Sequence, residues 1–140
     1  MQEKVNEIIS RFNRTKFVHN GRSVSEGVDC LGFIILFYRE FGIELPSNDG
    51  KEIENEWYLT DPTRYIRAIK DLNYPDVTLD ELKPLDLIFF VVNHDIITHS
   101  GIYLGGNRFA HMTPKKGLRV SKFERHWQKR FRGGVRVIND

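Results

Sequence analysis

One cysteine in 140 residues rules out an internal disulfide. Cys30 is therefore a packed core residue, a reactive thiol or a lone metal ligand. No apolar run reaches bilayer-spanning length, and there is no charged-then-apolar leader with a small-residue cleavage site. The expectation is a chain made in the cytoplasm, with no signal peptide and no membrane partner. A net charge of +2 is too small to argue for nucleic acid. Internal repeats and low-complexity tracts are also lacking. A chain of this length can bury a core as one domain, residues 1–140, without disulfides or metals.

The stretch Gly27 to Pro46 organises the rest. Asp29 is a natural helix cap, Cys30 follows it, and Leu31, Phe33, Ile34, Ile35, Leu36 and Phe37 leave no wide polar face. This predicts a buried helix with a thiol on its first turn, ending at Gly42 and stopped by Pro46. The first-turn N–H groups and the helix dipole favour an anion there, which lowers a thiol's pKa towards the nucleophilic thiolate.

Ahead of it, Val5, Ile8, Ile9 and Phe12 recur at helical spacing, so residues 1–13 should form an amphipathic helix. Residues 14–46 then hold a loop and the cysteine helix. The segment 47–84 reads as helical or irregular: Asp61-Pro62 opens a helix with Tyr65, Ile66 and Ile69 on one side, and Thr78 and Glu81 form a capping box that Pro84 ends. Trp57, Tyr58 and Tyr65 would line a groove or join the core. Within 85–140, strands are predicted at Leu87 to Val92, Thr98 to Leu104, Arg108 to Met112, Leu118 to Ser121 and Gly133 to Ile138. A second capping box, Ser121 with Glu124, predicts a short helix around Trp127. Helices first and strands later indicate an α+β fold, with the cysteine helix laid on an antiparallel sheet or open barrel.

A thiol at a helix start needs a base, usually a histidine that a third group holds still. With a turn at Gly105 to Asn107, residues whose numbers sum to about 210 face each other, making His99 and His111 cross-strand neighbours. Ile102 and Leu104 point to the face opposite His99. Cys30, His99 and His111 thus form the parts of a Cys–His–His constellation. His94 and His126 are placed at the surface. Zinc on those three residues is chemically open, but the paired-cysteine or His-x-x-x-His spacing usual for such sites is missing.

Gly27-Val-Asp-Cys-x-Gly-Phe, Leu85-Asp-Leu-Ile-Phe-Phe, His99-Ser-Gly-Ile-Tyr-Leu-Gly and Phe109-Ala-His111 resemble the successive motifs of the NlpC/p60 family of papain-like cysteine peptidases, over roughly residues 14–138. The segment Phe-Val-His-Asn-Gly and the stretch Trp127 to Arg136 are most similar to compact members carried by phage tails. The resemblance implies a papain-like NlpC-type fold and a thiol hydrolase of amide bonds in peptidoglycan stem peptides, without cofactor or metal. It makes Cys30 the nucleophile, His99 the base and then acid, and His111 the orienting residue. Asp29, Leu31 and Phe17 fall at substrate-binding positions. Leu31 stands where serine is usual, Phe17 near a usual tyrosine, and Leu85 where glycine precedes the aspartate. Partners implied are stem peptides and proteins of a tail or delivery particle, with delivery to the cell wall. A non-catalytic wall-binding module and an acyltransferase using the same thiol are the rival readings. From Arg108 to Arg136, ten Lys and Arg residues stand against Glu124 alone; this is either a solvated face or an attractor for an anionic wall polymer.

Overall fold

The computed structural model describes residues 2–18, 21–45, 73–91 and 97–138. The expected helix around Tyr65, the aromatics Trp57 and Tyr58, Pro46, His19 and His94 lie outside the described residues.

The amphipathic spacing at the start yields α1 (Gln2–Arg11), which buries Val5 and Ile8. Phe12, just past its end, meets Phe33 edge to face at 5.0 Å. A short antiparallel hairpin, β1 (Arg22–Ser23) and β2 (Gly27–Val28), then delivers the chain into α2 (Cys30–Arg39). Asp29 has extended backbone geometry and its carboxylate accepts the Gly32 N–H at 2.7 Å, so it caps α2 as its position predicts. Phe33, Ile34, Ile35, Phe37 and Tyr38 are almost entirely buried; each contributes roughly 1.5–3 kcal/mol of apolar burial. The helix proper stops at Arg39, short of Gly42. Gly42 takes φ +78°, and the N–H groups of Gly42 and Ile43 fold back onto the carbonyls of Arg39 and Tyr38 to close the end.

The second half is a sheet. Its strands are β3 (Asp76–Val77), β4 (Leu87–Val91), β5 (Ile97–Gly105), β6 (Arg108–Thr113), β7 (Gly117–Lys122) and β8 (Phe131–Val135). They run in the order β3-β8-β4-β5-β6-β7, with every neighbouring pair antiparallel. Different strands end the two sides, so the sheet is open and not a closed barrel. A 3₁₀ turn (Leu79–Glu81) follows β3 and carries the predicted capping box, with both Thr78 and Glu81 engaged. The last strand begins at Phe131, two residues before the expected Gly133, and ends at Val135 rather than Ile138.

Two clusters cover the two faces. Leu87, Phe89, Ile102, Leu104, Ala110 and Met112 pack with the buried residues of α1 and α2. Ile88, Phe90, Phe109 and Phe123 form the other cluster, with Tyr103, Trp127 and Phe131 against it. The two-residue alternation along β4 places Leu87 and Phe89 on one side and Ile88 and Phe90 on the other. The architecture is therefore α+β with the cysteine helix packed on an antiparallel sheet. Leu85 adopts φ +77°, which accounts for the usual glycine at this position; here the left-handed turn is held with Leu85 buried in the first cluster.

Candidate active site

β5 and β6 position the two histidines. Their register pairs Ile102 with Ala110 and Tyr103 with Phe109, two residues along from the pairing that a turn centred on Gly105 would give. The turn falls within the expected Gly105 to Asn107, at Gly106 and Asn107, both at positive φ; its centre beyond Gly105, with a bulge between Tyr103 and Gly105, sets this register. His111 consequently falls beside Gly101, with His99 its diagonal neighbour on the same face. The approach is possible because residue 101 is glycine: a Cβ there would lie 2.8 Å from the Ala110 carbonyl oxygen and 3.3 Å from the His111 Cβ.

The diagonal geometry brings the rings together. Nε2 of His99 lies 2.7 Å from Nδ1 of His111, so one ring donates to the other. His111 Nε2 in turn lies 2.8 Å from Ser121 Oγ on β7. Trp127 stacks over His99, with ring centroids 5.7 Å apart and planes 29° apart, and meets His111 edge to face at 5.0 Å. Phe109 lies 4.5 Å from the His111 ring, and Phe90 lies 6.0 Å from that of His99. Both imidazoles are buried. Desolvation lowers His99 to about 4, and desolvation together with the charges of His99 and Arg119 lowers His111 to about 3. Burial thus favours the uncharged form of both rings.

Cys30 is the first residue of α2 and is half-buried. The helix packs against β5 and β6, the strands that carry the histidines. His99 is paired with Phe90 across the β4–β5 ladder and so shares its face, whereas the buried side chains of α2 pack on the other face.

Arg22 reaches Asp29 Oδ1 at 3.0 Å and also donates to the Gly21 carbonyl. The helix cap beside the cysteine is thus also one half of an ion pair that the sequence did not reveal. Leu31 is only 5% exposed and belongs to the first cluster, so its side chain is core rather than open surface. Phe17 is half-buried against that cluster and bridges Val28.

Ser121 corrects the sequence reading. It sits within β7, and α3 (Arg125–Gln128) begins after Glu124, whose side chain makes no capping bond. The serine that looked like a cap is a hydrogen-bond partner of His111. Strand alternation is the signal that could have found it, because Ser121 pairs with Phe109 and so shares the face of His111. His126 is exposed, as expected. Eight of the ten basic residues between Arg108 and Arg136 are exposed, in keeping with a solvated face.

The NlpC/P60 family model matches residues 14–136. The chain is 30% identical over 121 residues to the murein DD-endopeptidase MepS/murein LD-carboxypeptidase of Escherichia coli, a match that covers 85% of this chain and 54% of that protein. It thus spans about half the length of such curated relatives. Among solved structures, a Staphylococcus aureus protein described as similar to lipoprotein, NLP/P60 family, superposes with a TM-score of 0.67 at 26% identity, over 97% of this chain and 41% of the other. RipD of Mycobacterium tuberculosis, described as a non-catalytic NlpC/p60 domain protein adapted to peptidoglycan binding, shares the fold at a TM-score of 0.61 and 19% identity, over 96% of this chain and 97% of the other. Motifs, fold and family match agree along nearly the whole chain, which belongs to the NlpC/P60 family.

Proposed function

We propose that this chain is a cysteine peptidase that hydrolyses amide bonds in the stem peptides of peptidoglycan. The observation that carries the reading is the 2.7 Å contact between His99 and His111, buried on strands that the cysteine helix packs against. His99 Nε2 is engaged with His111, which leaves Nδ1 as the nitrogen for the thiol. In this reading Cys30 gives its proton to His99 Nδ1, and the thiolate attacks the amide carbon. The Cys30 backbone N–H, outside the intrahelical ladder of the first turn, is the natural donor to the oxyanion. The C–N bond then breaks as His99 returns the proton to the leaving amine. Water, deprotonated by His99, releases the acyl group and restores the thiol. His111 orients His99 and stabilises its charged form.

The wall substrate is supported by relatives named for murein. The placing of this chain in a phage tail or other delivery particle rests on the sequence resemblance alone. Leu31 and Phe17 bear on which bond is cut, since neither offers the hydroxyl found in relatives.

The non-catalytic reading that RipD exemplifies is separated by one experiment. The protein and its Cys30→Ala variant are incubated with purified peptidoglycan of several chemotypes, and released fragments are identified by mass spectrometry. Fragments from the wild type alone are expected, and the new termini name the bond. No release from any chemotype would overturn the hydrolase reading in favour of a wall-binding module.

A further inference from the structure

We propose that Ser121 is a positioning residue, whose hydroxyl oxygen accepts the Nε2–H of His111 and thereby sets the tautomers of both imidazoles. The inference rests on the reading of His99 as the proton carrier, and it deepens that site.

Three polar groups stand in series: Ser121 Oγ is 2.8 Å from His111 Nε2, and His111 Nδ1 is 2.7 Å from His99 Nε2. A neutral imidazole has one N–H and one lone pair, so this series has a direction. If the Ser121 hydroxyl donated, His111 would carry its proton on Nδ1 and donate to His99 Nε2. His99 would then hold its proton on Nδ1, with no lone pair for the thiol. The opposite direction leaves the His99 Nδ1 lone pair available. Once Nδ1 has taken the thiol proton, His99 carries two N–H groups, and its Nε2–H requires the His111 Nδ1 lone pair. His111 must then be protonated on Nε2, and Ser121 Oγ must accept. The charged state of His99 therefore admits one arrangement.

The surroundings hold this arrangement in place. Ser121 pairs with Phe109 in the β6–β7 ladder, which turns it to the face of His111. Phe109 and Trp127 flank the His111 ring and oppose its rotation. His111 is 2% exposed, so an Nε2–H deprived of Ser121 has little access to water, and such a group is costly to leave unpaired. The neutral state that burial favours for both rings is the state in which the direction of the series matters.

The test compares Ser121→Thr with Ser121→Val, two side chains of the same shape that both suit a strand, so only the hydroxyl differs. Imidazole ¹⁵N chemical shifts at pH 7 read the tautomers directly, whether or not a wall substrate is cut. Wild type and the Thr variant should show His111 and His99 both protonated on Nε2, and the Val variant should show a mixture. On a peptide substrate, kcat of the Val variant should fall about 10- to 100-fold below that of the Thr variant with KM unchanged. Identical tautomers in the Thr and Val variants, or a wild-type His111 protonated on Nδ1, would overturn the inference. Failure of the hydrolase reading is distinguishable, because it appears as no turnover in any variant while the wild-type tautomer pattern is intact.

Discussion

Arg136 grips the carboxylate of Asp86 through two nitrogens, Nε at 3.0 Å and Nη2 at 2.9 Å, fifty residues away in sequence. The Asp86 side chain is 1% exposed and the Arg136 side chain 21%. The pair ties the end of β8 to the start of β4, the central strand against which β5 lies. Arg136→Ala should destabilise the fold by about 3 kcal/mol, because it leaves a carboxylate buried without its cation. Urea unfolding measures this, with an unchanged slope expected. A loss under about 1 kcal/mol would mean that the pair does not anchor the sheet.

Cys30→Ala should abolish turnover while changing stability by no more than about 1 kcal/mol, since the residue is half-buried and alanine is well tolerated at a helix start. His99→Ala should lower kcat by at least about 100-fold, and His111→Ala by less, because an orienting group contributes less than the proton carrier. Full activity in both histidine variants would exclude the Cys–His–His assignment.

Acid should weaken the fold through these same rings. His99 at about 4 and His111 at about 3 lie below the ordinary histidine value of 6.5. Below pH 6.5 the unfolded chain therefore takes up protons that the native state refuses. Their contribution is fully present above pH 6.5 and is lost as pH falls towards 4 and then 3. The slope is up to about 1.4 kcal/mol per pH unit for each ring. Urea midpoints measured from pH 7 to pH 4.5 should fall steeply in the wild type and less steeply in His111→Gln. Equal slopes would show that His111 titrates in the native state much as it does in the unfolded chain.

Trp127 shields His99 from solvent by stacking on it. Trp127→Ala should admit water, ease the desolvation that lowers His99 and move its pKa up towards 6.5. The acid limb of kcat/KM should then shift to higher pH, so activity at pH 5 falls more than activity at pH 8. A uniform loss across the profile would instead point to misplaced rings.

Gly101→Ala probes the close strand approach that seats His111. The added Cβ would lie 2.8 Å from the Ala110 oxygen and 2.9 Å from Phe109 Cδ2, so β5 and β6 must part. A destabilisation of about 2 kcal/mol is expected in thermal unfolding, accompanied by loss of turnover. Unchanged stability would show that the ladder yields at this point without strain.

Local pattern determined much of this protein. The apolar spacing of α1, the Asp29 cap and apolar run of α2, the Thr78–Glu81 capping box and the alternating strands of the second half all appear where short-range chemistry puts them. These features depend on neighbours within about four residues, which a linear sequence displays directly. The same locality brought out Cys30, His99 and His111 as candidates, from one thiol at a helix start and two histidines around one turn.

The tertiary structure decided what depends on register and on contacts between distant segments. The centring of the turn on Gly106 and Asn107, with one bulge beside it, placed His111 on the diagonal of His99 rather than opposite it, and no propensity encodes that choice. Ser121 satisfies both the local rule for a cap and the alternation of a strand. Pairing of β7 with β6 selected the strand, and so delivered the hydroxyl to His111. The meeting of Arg136 with Asp86, of Arg22 with Asp29 and of Trp127 with His99 likewise awaited folding. Each joins groups whose separation along the chain says nothing of their distance in space, and only assembly of the sheet and packing of its two faces bring them within reach.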